Sequence, residues 1–362
     1  MKILVTGGAG FVGSHVAEFY AKNGNNVTVI DNLSRAETLP KAEKSKHVIF
    51  HNWNYLKYTY DNIILTKADV RNRRQIEKAA QDVDFIIHTA AQVAVTASIQ
   101  DPLRDFETNA LGTFNVLEAA RKSKSNPAVA YCSTNKVYGE NVNNIPTLEL
   151  DTRYDFADKT FQKGIPETFP TDLTAHTPYG CSKIAGDIYM QDYSKSYGLN
   201  TCVFRMSCIY GDRQFGNEDQ GWVAHFAISA LQDKKLTIYG DGKQVRDVLF
   251  VDDLVQAFNK FFKKRKKVSG EVFNIGGGPE NTSSLLELLS FLQKLTGKQC
   301  KVEFENWRSG DQKVYISDIS KAKKQLGWEP KVGTLKGISN FVAWFQRLQN
   351  QPSKRVLKKD LS

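Results

Sequence analysis

The run Thr6-Gly7-Gly8-Ala9-Gly10-Phe11-Val12-Gly13 constrains this chain more than any other stretch. It follows an apolar run from Ile3 to Thr6 and opens a segment of helical periodicity. Glycines in that setting allow a tight turn and let backbone approach a pyrophosphate, while the helix N-terminus supplies amide donors. A glycine fingerprint alone is weak evidence, but Asp31 closes the next strand-like run, eighteen residues beyond Gly13. Together they predict dinucleotide binding. A carboxylate at Asp31 accepts hydrogen bonds from the adenosine ribose and repels a 2′-phosphate, so NAD is expected over NADP; Arg35 is the nearby group that could accommodate that phosphate. Asp69-Val70 ends a third run, where Asp69 either meets the adenine amino group or caps a helix.

Strand-like runs at Ile3 to Thr6, Asn26 to Asp31, Asn62 to Asp69, Val83 to Thr89, Val129 to Ser133 and Thr201 to Met206 alternate with helical patterns, including Asp105 to Lys122 and Ser182 to Tyr197. That alternation predicts an α/β fold with a Rossmann-type, doubly wound parallel sheet. After residue 205 the texture changes: glycine-rich polar loops at Gly211 to Gly221 and Gly240 to Asp247 precede a helical Ser283 to Thr296. We therefore expect a cofactor domain over 1–205, with 238–275 returning to it, a smaller C-terminal substrate-binding α/β domain over mainly 206–350, and a flexible tail over 351–362. Lys41 to Tyr60, basic and aromatic without clear period, and the polar, proline-containing Asn141 to Asp172 read as insertions, the first on the surface.

No apolar run approaches the roughly 20 residues that span a bilayer, and the first residues run from one lysine straight into a strand and a glycine turn, so no membrane span and a cytoplasmic location are expected. The five cysteines are scattered without metal or redox spacing and read as free thiols; no metal site is expected. A net charge of +10 raises the question of nucleic acid, yet the densest basic run, Lys263 to Lys267, lies between an amphipathic Leu254 to Phe262 and a strand Glu271 to Ile275, where a solvated loop is expected. No nucleic-acid partner is expected; a positive field also attracts a nucleoside diphosphate.

Tyr179-Gly180-Cys181-Ser182-Lys183 places a phenol and an ammonium four residues apart, on one face of a helix. A phenol with an ordinary pKa near 10 is a poor base at neutral pH unless neighbouring cations favour the phenolate. Such a pair is common by chance, but here it follows a dinucleotide fingerprint and Ser133-Thr134 at the end of an intervening strand. With His88-Thr89-Ala90-Ala91 and Asn109, these residues resemble the extended short-chain dehydrogenase/reductase family over nearly the whole chain, from Met1 to about Trp344. The resemblance implies a catalytic trio of Thr134, Tyr179 and Lys183. It implies that Gly7, Gly10, Phe11, Val12 and Gly13 hold the pyrophosphate, that Asp31, Asn32 and Ser34, with Arg35 beside them, hold the ribose, and that Asp69, Val70, Ala90, Ala91, Gln92, Asn109 and Ser133 complete the NAD site.

The same resemblance implies a nucleotide-sugar substrate. Arg246, in Gly240 to Val248, matches a diphosphate ligand and Arg308 a second one, although either alone suits a surface ion pair. Asn135, Gln214 and Gln220 are further substrate candidates. Dehydratases of the family carry an Asp-Glu pair after the strand threonine, whereas this chain has Asn135-Lys136, so the acid and base for eliminating water are lacking. That leaves reversible oxidation and reduction at one carbon. Strings such as Ala90 to Thr96, Ser133 to Gly139, His176 to Lys183 and Asp219 to Val223 are similar to the branch that epimerises CDP-linked deoxysugars at C2; another epimerase, for example a 4-epimerase, or a dehydrogenase is the alternative, and a catalytically inactive NAD-binding scaffold a remote one. Two departures stand out: the long basic 41–60 segment, and Cys208 where the resemblance implies serine. Phe106, Ala110, Thr113, Phe114 and Leu117 share one helical face, and related enzymes pair such helices, so a homodimer or homotetramer is expected; a core-facing stripe gives the same spacing.

Overall fold

The computed structural model describes residues 1–35, 46–308 and 310–350. The expected tail and the first part of the 41–60 segment lie outside the described residues. At the centre is a seven-stranded, wholly parallel sheet. Its first five strands in chain order are β1 (Lys2–Thr6), β2 (Asn26–Asp31), β3 (Ile63–Lys67), β4 (Phe85–His88) and β5 (Ala128–Thr134). Across the sheet the order runs Glu271–Ile275, Thr201–Met206, β5, β4, β1, β2, β3. The order reverses between β1 and β4, the place where ligands bind in sheets of this kind.

Both faces of the sheet are covered, which is why the strands read as nearly continuous apolar runs. Period-two alternation sends Ile3, Val5, Val27, Val29, Phe85, Ile87, Ala128 and Ala130 into one core, and Leu4, Ile30, Ile86, Val129 and Tyr131 into the other. Helix α1 (Phe11–Lys22) packs on the first face. The Val251–Lys264 helix joins it there through Leu254, Val255, Phe258 and Phe261.

The 41–60 segment is no surface insertion in its described part. Lys46–Thr59 is a helix that packs against α1, with Leu56 fully buried in the first core and Trp53 and Tyr55 against it. It is the crossover between β2 and β3, and its polar Asn52, only 3% exposed, obscured the apolar face. The basic run also begins inside a helix, whose last residues are Lys263 and Lys264, where cations suit the C-terminal dipole. Arg246 lies on a strand, Val245–Phe250, and not in a loop. That strand pairs with Cys208–Tyr210, Thr282–Ser284 and Val314–Tyr315, and so becomes the spine of the second half. A third core of aromatic and aliphatic residues from the Trp222–Leu231, Leu285–Thr296 and Thr334–Asn350 helices covers it. Ser284 and Glu287 close a reciprocal capping box at the start of the second of these helices.

The 141–172 segment holds a short hairpin, Thr147–Glu149 with Tyr154–Phe156, and sends Val142, Ile145 and Ile165 into a buried cluster with Val137, Tyr138 and Tyr315. Of the apolar stripe expected to meet a second subunit, Ala110, Thr113 and Leu117 face the core. Phe106 is exposed, in the company of Ile99, Leu103, Ile188 and Tyr189 from helices that pack together. No helix of the described residues is long and apolar enough to cross a membrane. All five cysteines are free.

Candidate active site

The glycine loop is packed too closely for side chains at its glycines. A Cβ on Gly7, which sits at φ +69, would come within 2.6 Å of the Ala90 backbone, and one on Gly13 within 2.4 Å of the Gly7 carbonyl oxygen. Gly10 caps α1 with extended backbone and no side-chain cap, so the capping residue itself places nothing over the first-turn amides. Phe11 and Val12 begin the helix. At the end of β2, Asp31 accepts from the Ala9 amide at 3.0 Å and the Leu33 amide at 2.8 Å. Burial pushes its carboxyl above the usual range while these amides oppose the shift. Asn32 donates to Asp69 at 2.9 Å and accepts from the Ser34 amide. Burial works against ionisation of Asp69, but Arg71 and Asn32 outweigh it and hold the carboxyl at about 2. The helix cap is Asn72, which accepts from Gln75, so Asp69 does not fill that role. Val70 is buried against Gly112, and the Arg35 guanidinium donates to the Phe215 carbonyl.

The sequence-predicted residues after β4 form one network. The Ala90 amide donates to Thr6 Oγ1 at 3.2 Å, Ala91 follows it, and the Gln92 amide donates to Asn109 Oδ1 at 2.8 Å. Asn109 in turn donates to the Gln92 carbonyl, to Asp105 and to Ser182. Ser182 belongs to the Pro178–Tyr197 helix, so this network fixes that helix against the 90–92 turn. Its start is capped by Thr177 with Pro178 in the first turn, which puts Tyr179 and Lys183 on successive turns of one face.

Tyr179 and Thr134 lie side by side, and the threonine hydroxyl favours the ionised phenol. Burial pushes the Tyr179 phenol up to about 12, with the Thr134 contact pulling the other way. Burial also draws Lys183 down to about 8, partly offset by Cys132, Asp105 and Asp187, and its ammonium lies 4.2 Å from the Tyr131 ring centroid. The phenol is therefore neutral at neutral pH in the protein alone. Ser133 does not point the same way. Its hydroxyl donates at 3.1 Å to Asp187, which pairs with Arg205 at 2.8 Å in a fully buried bridge. What Ser133 can offer a cofactor is backbone. The Asp187–Arg205 pair, four residues beyond Lys183, was missed in the sequence, although that spacing puts Asp187 on the lysine's face.

The second-half candidates are less convergent. Arg246 is partly buried and donates to its neighbour Val245 O. Arg308 lies over the Tyr239 ring and is held by Glu218 at 2.9 Å and Asp219 at 3.8 Å, the surface ion pair already raised as its alternative. Gln220 is exposed on a turn closed with Asn217. Gln214 is buried, donates to the Ile209 carbonyl, and leaves Oε1 without a partner among the described residues. Asn135, also buried, accepts from Thr134 at 3.3 Å. Cys208 lies by Arg246, Trp222 and Lys136; burial pushes its thiol up while those neighbours oppose it.

A glycine cradle, an aspartate at the end of β2 and a buried Thr-Tyr-Lys trio coincide with what comparison shows. The model of the NAD dependent epimerase/dehydratase family matches residues 3–276. This chain belongs to that family. Among its relatives, CDP-paratose 2-epimerase of Salmonella typhi is 40% identical over 95% of this chain and 99% of its own. UDP-glucose 4-epimerase of Mycolicibacterium smegmatis is 31% identical over 96% and 99%. The crystal structure of UDP-glucuronic acid 4-epimerase from Bacillus cereus, in complex with UDP-glucuronic acid and NAD, is 29% identical and superposes with a TM-score of 0.78 over 96% of this chain and all of that one. The epimerase/dehydratase fold thus spans the described chain, and NAD is its cofactor.

Proposed function

We propose that the protein is a nucleotide-sugar epimerase working as a CDP-paratose 2-epimerase, which inverts C2 of the sugar by transient oxidation at that carbon. The observation that carries the reading is the run Ser133-Thr134-Asn135-Lys136, which brings Thr134 to Tyr179 and offers no carboxylate beside them. Elimination of water needs an acid and a base there; oxidation and reduction at one carbon need one proton-transfer group. The similarity to the Salmonella typhi enzyme over almost the full length of both chains supports the sugar and the base.

The glycine cradle fits NAD, since any Cβ at Gly7 or Gly13 would fill it, and Asp31 favours a free 2′-hydroxyl. Bound there, oxidised NAD supplies a hydride acceptor and a positive charge near the phenol. With that charge and Lys183 favouring the phenolate, Tyr179 takes the C2 hydroxyl proton, and Thr134, beside the phenol, orients that hydroxyl. Lys183 holds positive charge beneath the tyrosine. In the dideoxy sugar C3 carries no oxygen, so no neighbouring carbonyl can acidify the C2 proton, and C2 itself is oxidised. The resulting ketone must turn and present its other face while the diphosphate stays anchored, for which Arg246 is the candidate. Tyr179 then returns the proton to the new alcohol.

The exposed Ile99, Leu103, Phe106, Ile188 and Tyr189 support assembly as a homodimer or dimer of dimers. Turnover of matched CDP-, UDP-, GDP- and dTDP-sugars tests the substrate. Inversion at C2 of CDP-paratose is expected; turnover confined to a UDP-hexose at C4 would replace this reading with the 4-epimerase one.

A further inference from the structure

We infer that Lys136 binds the sugar-side phosphate of the substrate's diphosphate together with Arg246, a role that rests on the nucleotide-sugar reading. The position of the side chain is fixed from both ends. Its backbone amide donates to Thr134 Oγ1 at 3.3 Å, the hydroxyl that meets Tyr179. Its carbonyl faces His176 Nδ1 at 3.3 Å and lies where a Cβ on Gly180 would touch it, so the backbone is pinned to the start of the tyrosine helix. From there the side chain crosses to the second half of the molecule, and Nζ donates to the Gly310 carbonyl at 3.1 Å, two residues beyond Arg308. Lys136 thus spans from the reacting centre to the loop expected near the nucleotide.

The charges around it are unbalanced. Arg246 and Asp311 are the charged groups that act on Lys136, with Cys208 beside them. Asp311 is the one carboxylate acting on Lys136, and neither cation forms an ion pair among the described residues; the lysine donates to the Gly310 carbonyl and the arginine to the Val245 carbonyl. A largely desolvated ammonium is costly unless an anion and further acceptors meet it, and Lys136 is partly buried. Burial and Arg246 draw Lys136 down to about 8, as expected for a cation short of negative partners. A diphosphate supplies both the charge and the acceptors, and a lysine suits it as a compact point charge beside the arginine fork. Because the Lys136 backbone is anchored at Thr134, beside the reacting centre, we assign its side chain to the phosphate bonded to the sugar. It would serve as part of the pivot about which the hexose turns.

The test is calorimetric titration of the purified protein with nucleoside diphosphates and the matching monophosphates. Wild type is first titrated with CDP, UDP, GDP and dTDP, and the tightest is carried forward. Lys136→Met and Lys136→Gln are expected to weaken that diphosphate about 10-fold or more while the monophosphate changes by about 2-fold or less, and Lys136→Arg to stay near wild type. Melting curves of all three variants establish that they are folded. An unchanged preference for diphosphate over monophosphate in both neutral variants would overturn the assignment, and a fall in turnover alone would place the lysine on the hexose instead. Failure of wild type to bind any of the four diphosphates would be the separate failure of the nucleotide-sugar reading.

Discussion

The two halves of the molecule treat their polar groups in opposite ways. In the cofactor half, up to Met206, most buried side chains pair with one another: Gln92, Asp105, Asn109 and Ser182 form one network, Ser133, Asp187 and Arg205 another, and Thr6, His88 and Thr113 a third, while Tyr20 Oη, Asn52 Oδ1 and Asp105 Oδ2 stay open among the described residues. In the second half, three buried glutamines follow a different pattern. Gln214, Gln244 and Gln312 each donate through Nε2 to a backbone carbonyl, of Ile209, Tyr239 and Gly139, and each leaves Oε1 without a partner among the described residues. Unpaired buried acceptors cost stability and are retained where something else pairs them. The contrast is between a cofactor platform that pairs most of its own buried polar groups and a second half that leaves three glutamine acceptors open among the described residues.

That contrast predicts that chemistry and stability separate on the platform. Tyr179→Phe removes the proton-transfer group and nothing the fold needs, since the tyrosine's packing partners remain. Turnover should fall by about 100- to 10,000-fold with a melting temperature near wild type, measured by a coupled assay and calorimetry. Near-wild-type turnover in this variant would remove the tyrosine from the mechanism. Leu56→Ala should do the reverse, because a fully buried leucine of the β2–β3 crossover is deleted. A loss of about 2–5 kcal/mol in urea unfolding is expected, with kcat of the remaining folded enzyme preserved. A loss within error would mean that the 46–59 helix is dispensable to the platform.

A smaller effect concerns pH. His88 is buried between Thr6 and Thr113, and burial, with Lys183 adding to it, holds its imidazole down to about 3. In the unfolded chain the group protonates near its ordinary 6.5. The unfolded state therefore takes up the proton first, so stability is full above about 6.5 and declines as pH falls toward 3, by at most about 1.4 kcal/mol per pH unit for this group. His15 behaves alike, so the slope has two sources. His88→Gln should give a shallower decline between pH 7 and 5 in chemical denaturation; an unchanged slope would contradict a neutral, buried His88.

The same division governs what the sequence could reveal. The glycine loop, Asp31 and the Tyr179/Lys183 pair are local patterns, because the turn, the strand end and the helix face that use them are each made by neighbouring residues. The parallel sheet was legible for the same reason, as its strands are apolar on both faces. The 46–59 helix was not, since Asn52 is buried at a polar contact with the Gly10 and Arg213 carbonyls and breaks the apolar stripe. Arg246 reads as a loop residue because Gly240 and Gly242 precede it, yet pairing with strands from 208–210, 282–284 and 314–315 makes its segment a strand. Lys136 was visible only as a missing glutamate. Its closeness to Arg246 and Gly310 joins residues more than a hundred positions apart, which no local pattern encodes.

The most direct test of the account follows the hydrogen at C2. If Tyr179 moves only the hydroxyl proton and the C2 hydrogen leaves and returns as hydride, CDP-paratose deuterated at C2 will give product that keeps the label at C2. Unlabelled substrate turned over in heavy water will then gain none, as read by mass spectrometry and NMR. Solvent deuterium at C2 after a single turnover would contradict the account, because the carbon would then have been inverted by loss of a proton.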